Sequence, residues 1–361
     1  MSIRLAIVDD AFFIREGLKR LLAGYSGIDV VGTASSGLDL IAHLDEWKPD
    51  VITLDINMPG MDGLTTLDRL MQIRPLPVII LSTRSGVGAP LTLEALARGA
   101  VDFVDKEAYS LVDFEALRAV LVEKIKSVTA RTADRVPPTE KAARADSAAP
   151  AIAAASRSAV SGQRSAFSLA VIGASTGGPR AIETVLRSMG PELSVPVLVV
   201  QHMPAGFTRA FAERLDRALP FKVREGVAGE PLEPGCVYIA PGGVHMAVSE
   251  DAEPRVALNG TVPGSLHTPS VDELFVSADK AYGERVIAAL LTGMGKDGAR
   301  GMAALARSGA HTIAQSEESC VVYGMPRAAV EAGAAREVLP LESIGPRLRT
   351  LLGGFDPHQE N

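Results

Sequence analysis

Short runs of β-branched and aliphatic residues recur along the first third of the chain: Ile3–Val8, Ile28–Ala34, Val51–Leu54, Val78–Leu81 and Val101–Val104. Each run is continuous rather than alternating, the pattern of a strand covered on both faces. Between them lie segments with helical spacing; Ile14, Leu18, Leu21 and Leu22 share one helix face. Strand–helix alternation of this kind predicts a doubly wound parallel sheet. From Arg131 to Arg164 the chain turns to Ala, Ser, Arg and Pro, and Pro137, Pro138 and Pro150 break any helix the alanines would favour. That stretch reads as a linker. Beyond it the alternation resumes less regularly. Strands are expected at Leu169–Gly173, Val195–Val200, Val237–Ala240 and Val286–Leu291, and helices around Ile182–Leu186, Phe207–Leu219 and Val271–Ala281. Hairpin character is expected around Cys236–Val248 and Arg255–Leu258. The chain thus divides into an N-terminal unit over 1–127, a linker over 128–165 and a C-terminal α/β unit over 166–355 with a mainly parallel sheet.

The length of 361 residues suits two domains. Aromatic residues make up only 4%, so the cores must be built from Val, Ile, Leu and Ala. The charge balance, 36 Lys and Arg against 43 Asp and Glu, leaves −7 and argues against a nucleic-acid or anionic-membrane surface. No apolar run reaches the roughly 18 residues of a membrane-spanning helix, and the N-terminus lacks the basic start and long apolar stretch of a signal peptide. Cys236 and Cys320 are the only cysteines, too few for a disulfide framework or a Cys-rich zinc site. A cytoplasmic setting without membrane insertion is expected.

Ligands of open parallel sheets bind beyond the carboxyl ends of the strands. Asp9 and Asp10 close the first strand there, Asp55 the third and Ser82 the fourth, and Lys106 follows the fifth. Three carboxylates converging on one crevice repel unless a hard divalent cation and a lysine compensate them, and Mg²⁺ suits such an oxygen-rich site. The segments Ile7-Val8-Asp9-Asp10, Leu54-Asp55-Ile56-Asn57-Met58-Pro59-Gly60, Leu81-Ser82 and Val104-Asp105-Lys106 resemble a response-regulator receiver domain. The resemblance implies a flavodoxin-like fold in which Asp55 accepts a phosphoryl group from a histidine kinase. It implies further that Asp10, Asp55 and the Asn57 carbonyl hold Mg²⁺, with Asp9 supporting, Ser82 bonding the phosphate and Lys106 pairing with it. One position departs from the pattern: Glu107 stands where receivers usually carry proline. A cis peptide before Glu would cost about 3 kcal/mol, so a trans bond is expected there.

In the C-terminal unit, Gly173-Ala174-Ser175-Thr176-Gly177 follows an apolar run and precedes a helical one. It fits the Gly-x-Ser-x-Gly elbow that lifts a serine hydroxyl into the open. A glycine-rich dinucleotide turn, as in short-chain dehydrogenases, is the alternative. Against it, the next strand ends in Gln201-His202 without an acid for a ribose, and no Tyr is followed four residues later by Lys. A hydroxyl nucleophile needs a base, and the base an orienting carboxylate. His202 ends a strand and Asp297 lies in the glycine-flexed loop Gly293-Met294-Gly295-Lys296-Asp297-Gly298, giving the order Ser–His–Asp. His245 and His267 are rival bases, and no close His spacing supports a metal site.

Together with Gln201-His202-Met203-Pro204, Ala240-Pro241-Gly242-Gly243-Val244-His245, His267-Thr268-Pro269-Ser270-Val271-Asp272 and Ser319-Cys320-Val321-Val322-Tyr323-Gly324, these segments resemble the catalytic domain of the chemotaxis protein-glutamate methylesterases. That resemblance implies Ser175 as nucleophile, His202 as general base and Asp297 as orienter, with Thr176 and Met294 contributing to an oxyanion hole and no cofactor in the esterase site. It implies methylated chemoreceptors as substrate, deamidation of receptor glutamines as a second reaction, and inhibition by the unphosphorylated receiver. Two other readings differ in kind: a response regulator whose second half only binds a partner, and the same acyl chemistry on a non-chemotaxis target.

Overall fold

The computed structural model describes residues 2–82, 88–106, 114–129, 167–260, 262 and 266–353, with side chains omitted at 114–116. The expected linker beyond Thr129 and the peptide between Lys106 and Glu107 lie outside the described residues.

The N-terminal unit alternates β1 (Ile3–Val8), α1 (Phe12–Leu22), β2 (Ile28–Ala34), α2 (Gly37–Trp47), β3 (Val51–Asp55), α3 (Gly63–Ile73), β4 (Val78–Ser82), α4 (Gly88–Arg98), β5 (Asp102–Asp105) and α5 (Phe114–Thr129). The strands form one parallel sheet in the order β2-β1-β3-β4-β5. Every residue of β3 and β4 is buried, as continuous apolar runs require. Local chemistry starts the helices: Ser36 accepts from the Asp39 amide at 3.2 Å and Asp62 from the Thr65 amide at 2.7 Å. The helix α5 continues to Thr129, two residues into the stretch assigned to the linker.

The C-terminal unit runs β6 (Leu169–Ala174), α6 (Gly178–Ser188), β7 (Val197–Gln201), α7 (Phe207–Ala218), β8 (Lys222–Glu225), β9 (Cys236–Ile239), β10 (His245–Val248), β11 (Val256–Asn259), α8 (Val271–Tyr282), β12 (Val286–Leu290), α9 (Ala299–Arg307), β13 (His311–Gln315), α10 (Met325–Glu331), β14 (Glu337–Leu339) and α11 (Leu341–Leu351). Seven strands make a parallel sheet in the order β14-β13-β12-β6-β7-β9-β8. The chain builds outward from β6 through β7 and later returns to the other side of β6 with β12. The carboxyl ends of β6, β7 and β12 therefore flank the switch point, where such sheets bind ligands.

The expected hairpin is only half right. The β10–β11 pair is antiparallel, but β9 leaves it to lie parallel between β7 and β8, all four of its residues buried. The strand β13 was masked in sequence by His311, Thr312 and Gln315, which are buried yet satisfied: His311 meets Glu337 at 2.6 Å, Thr312 donates to the Ala334 carbonyl, and Gln315 accepts from the Thr292 amide.

The two units pack on one another. Leu93 and Leu96 of α4 and Phe103 of β5 share an apolar cluster with Ala181 of α6 and with Phe207 and Phe211 of α7, and the Phe103 and Phe207 rings lie 4.6 Å apart. Two hydrogen bonds cross the same junction. The Thr176 hydroxyl donates to Asp102 Oδ2 at 2.7 Å and the Gly177 amide to the Val101 carbonyl at 3.1 Å.

Candidate active site

Ser175 stands just past β6, in a turn that is tied on three sides. Its amide donates to the Thr292 carbonyl at 3.0 Å, and its carbonyl accepts from the Gly178 amide at 2.8 Å and from Gln201 Nε2 at 2.9 Å. Gly177 closes the turn with φ +77°, a conformation that side chains disfavour. A Cβ on Gly293, in the loop after β12, would come within 2.8 Å of Ser175 Cβ, so glycine there lets the two loops meet.

His202 follows β7 one strand away, its amide bonded to the Ala174 carbonyl at 3.2 Å. The same Gln201 Nε2 also donates to the His202 carbonyl at 3.1 Å, so one amide group fixes the backbone of both residues. His202 Nε2 lies 2.7 Å from Asp297 Oδ2. An ionised carboxylate accepts, so Nε2 carries the proton; Nδ1 is left as a buried acceptor with no hydrogen-bond partner.

Asp297 is held by donors. Oδ2 also accepts from the Val271 amide at 2.7 Å, and Oδ1 accepts from Ser270 Oγ at 2.9 Å, the Asp272 amide at 3.0 Å and the Gly298 amide at 3.1 Å. Two of these amides open α8, whose N-terminal N–H groups have no partner within the helix. Burial pushes the Asp297 carboxyl up, but the His202 hydrogen bond and charge and the Val271 and Asp272 amides outweigh it, holding the group well below the usual carboxylate range.

The rival histidines take other places. His245 is fully buried on β10, and its Nδ1 accepts the Ser270 amide at 3.2 Å. His267 stacks on His202 with ring centroids 4.1 Å apart and planes 22° from parallel. Burial, then the neighbouring His202 charge, lowers its pKa to about 4, with Lys124 of α5 adding and Asp297 opposing. A cleft of about 680 Å³ opens beside Asp297, bordered by His267, Met294, Lys296, Arg300 and, from the N-terminal unit, Glu123. Among the described residues, the Thr176 and Met294 amides have no hydrogen-bond partner. The Thr176 hydroxyl is committed to Asp102, and the Met294 side chain packs against the cluster containing Leu121 and Ile125 of α5.

At the carboxyl end of the first sheet, Asp9, Asp10 and Asp55 bring oxygens within 4.8 Å of one another. Lys106 Nζ bridges Asp9 Oδ2 at 2.6 Å and Asp55 Oδ2 at 2.9 Å. Burial raises the Asp9 pKa, Lys106 offsets this in part, and the Asp55 charge adds to the rise. The Asn57 amide reaches Asp55 Oδ1 at 3.4 Å. Ser82 makes a short hydrogen bond to Thr92 of α4, whose hydroxyl donates on to the Gly88 carbonyl at 2.8 Å. Gln201 and Ser270 stood in the sequence only as members of longer motifs, with no role assigned, and Thr92 was not singled out. Ser270 also opens a Ser-x-x-Glu helix start ending at Glu273.

An acidic receiver-type pocket on one doubly wound sheet, and serine, histidine and aspartate loops at the switch point of another, define a response regulator joined to an α/β domain of hydrolase type. Residues 5–118 match the response regulator receiver domain and residues 170–348 the CheB methylesterase domain. A protein-glutamate methylesterase/protein-glutamine glutaminase of Symbiobacterium thermophilum is 45% identical over 361 residues, spanning 97% of each chain. One of Bordetella parapertussis is 44% identical over 355 residues, spanning 98% of each. The crystal structure of the Thermotoga maritima CheB methylesterase catalytic domain superposes with a TM-score of 0.50 at 39% identity, covering 51% of this chain and 98% of that one. The chain belongs to the CheB methylesterase family. No described helix is long and apolar enough to cross a membrane.

The His267 environment has a measurable consequence. Its folded pKa of about 4 lies below the ordinary 6.5, so the unfolded chain binds the extra proton between these values. The stability His267 contributes is therefore full above pH 6.5 and is lost as the pH falls towards 4. Urea midpoints of the full chain should decline over that interval, and His267→Asn should flatten the decline by up to one proton. Equal slopes in the two proteins would mean that His267 titrates normally.

Proposed function

We propose that the protein hydrolyses γ-methyl esters of glutamate side chains on chemoreceptors, and deamidates receptor glutamines, under control of a phosphorylated receiver. The observation that carries the chemistry is the His202–Asp297 pair at 2.7 Å, on the strand end next to Ser175 and with Nδ1 left as a buried acceptor. Ser175 Oγ attacks the ester carbonyl while His202 Nδ1 takes its proton, and Asp297 steadies the imidazolium that forms. The amides of Thr176 and Met294 are the donors for the oxyanion. The intermediate collapses with proton return from Nδ1 to the leaving methoxide, releasing methanol and a glutamyl-enzyme. Water, deprotonated by the same nitrogen, then frees the glutamate carboxylate. With glutamine the leaving group is ammonia and the steps are otherwise the same. His267, neutral and stacked on His202, and His245, bonded to a backbone amide, support His202 as the base.

In the N-terminal unit Asp55 accepts the phosphoryl group, with a chemotaxis histidine kinase as donor. The all-oxygen donor set fits Mg²⁺: Asp10, Asp55 and the Asn57 carbonyl would hold it, with Asp9 behind them. Bound there, Mg²⁺ supplies positive charge against the transferring phosphoryl group. Lys106, already on Asp55, pairs with the product phosphate, and Ser82 turns its hydroxyl to it at the expense of Thr92. That exchange loosens α4, which packs on α6 and α7. The unphosphorylated receiver inhibits because it holds the two residues that follow Ser175, through Asp102 and Val101, and walls the cleft with Glu123. The two units act as 1–129 and 166–355, with 130–165 as the tether between them.

Methanol release from methylated receptors tests the chemistry. Ser175→Ala should abolish turnover, and His202→Ala or Asp297→Asn should each lower kcat by about 10³-fold or more; retained activity in Ser175→Ala would direct the assignment elsewhere. A fragment starting near Ser165 should exceed the unphosphorylated full chain in activity. Asp102→Asn, which leaves a neutral acceptor in place of a charged one, should raise basal activity roughly five- to tenfold, about 1 to 1.4 kcal/mol; inhibition by the receiver fails if neither change activates. Small-molecule phosphodonors should activate the parent in Mg²⁺ but neither Asp55→Asn nor the parent in chelator, and activation of Asp55→Asn would displace the phosphorylation site.

A further inference from the structure

Behind Asp297 lies a second tier of hydrogen bonds. Besides His202, Ser270 is the only side chain donating to the Asp297 carboxylate among the described residues, through Oγ to Oδ1 at 2.9 Å. The same oxygen caps α8 by accepting the Glu273 amide at 3.4 Å, so its one proton is left to point at Asp297. Ser270 is 3% exposed, and its own amide precedes the helix and would be stranded without an acceptor. His245 Nδ1 supplies that acceptor at 3.2 Å. His245 is itself fully buried and its Nε2 has no partner, a costly arrangement that makes sense if the residue is kept for its other nitrogen.

We infer that Ser270, anchored by His245, is a positioning residue that sets the Asp297 carboxylate against His202. This rests on the reading of Ser175, His202 and Asp297 as nucleophile, base and orienter. Val271 and His202 hold one carboxylate oxygen; the Ser270 hydroxyl and the Asp272 and Gly298 amides hold the other. Without the hydroxyl Oδ1 keeps only the Asp272 and Gly298 amides, and the carboxylate turns off the line on which Oδ2 meets His202 Nε2. The base is then aimed less well at Ser175, which lowers kcat more than it weakens substrate binding.

Three variants of the full chain, activated with a small-molecule phosphodonor and Mg²⁺, separate this role from plain helix capping. Glycine caps a helix nearly as well as serine but has no hydroxyl, alanine does neither, and threonine does both. Positioning requires that Ser270→Gly and Ser270→Ala both lose roughly tenfold or more in kcat with KM within about twofold. Ser270→Thr should restore the parent values. The inference is overturned if Ser270→Gly keeps the parent kcat while Ser270→Ala falls, or if Ser270→Thr melts like the parent yet performs like Ser270→Ala. Turnover by Ser175→Ala in the same assay would instead overturn the underlying triad, a separate result.

Discussion

A carboxylate as enclosed as Asp297 is tolerable only inside a ring of donors, because an unpaired buried charge costs several kcal/mol. Much of the C-terminal unit is arranged to supply that ring. The start of α8 aims two amides at it, the Ser270 cap adds a hydroxyl, and the loop after β12 adds the Gly298 amide. β10 contributes at one remove through His245. The fifth donor is His202 Nε2, so fixing the carboxylate also fixes the imidazole proposed as the base. Its tautomer follows without any further device, since an acceptor on one side of the ring leaves an acceptor nitrogen on the other. Gln201 then ties the backbone of that base to the backbone of Ser175. The geometry of the site thus grows out of the need to bury one charge.

The receiver meets this site at its most sensitive point. Its hydrogen bonds fall on Thr176 and Gly177, in the turn that presents Ser175. Each such bond is worth about 1 kcal/mol net, somewhat more where Asp102 is charged, and the Phe103–Phe207 contact adds apolar area. The two units belong to one chain, so their docking is intramolecular and modest contacts suffice to keep them together. Moving such an equilibrium from 1:99 to 99:1 takes about 5.5 kcal/mol of differential stabilisation. The proposed phosphorylation of Asp55, acting through Ser82, Thr92 and α4, would work against an interface of that order rather than against a fused core.

How far the sequence revealed this follows from what each residue depends on. The strands with continuous apolar runs were legible, as were the residues at their carboxyl ends, because the direction of a parallel strand places its last residue at the binding edge. That is why Asp9, Asp10, Asp55, Ser82, Lys106, Ser175 and His202 all emerged. β13 did not, since His311, Thr312 and Gln315 read as polar until their buried partners are known. β9 was misassigned to a hairpin, because four buried apolar residues do not say which neighbour they will pair with. Gln201 and Ser270 bond to groups far away in sequence, 26 to 27 residues for their longest links, and no local pattern encodes that. Glu107, the departure from the receiver pattern, lies outside the described residues.

The two acidic sites solve the same electrostatic problem in opposite ways. Asp297 is met almost wholly by donors fixed in the chain, four of them from backbone or side-chain groups that carry no charge. Its charge is therefore permanent across the working pH range, as an orienting group requires. In the receiver pocket, three carboxylates face mainly one lysine, supplemented by the Ala11 amide on Asp9 and a long contact from the Asn57 amide. That balance is deliberately incomplete in physical terms: excess negative charge makes room for an added cation, and Lys106, bound by ion pairs rather than covalent geometry, can redistribute when a phosphoryl group arrives. Rigid neutral donors make a fixed carboxylate–imidazole pair, whereas a charge deficit to be filled from outside makes an adjustable site. The turn at Thr176 and Gly177 joins the unit that carries one to the unit that carries the other.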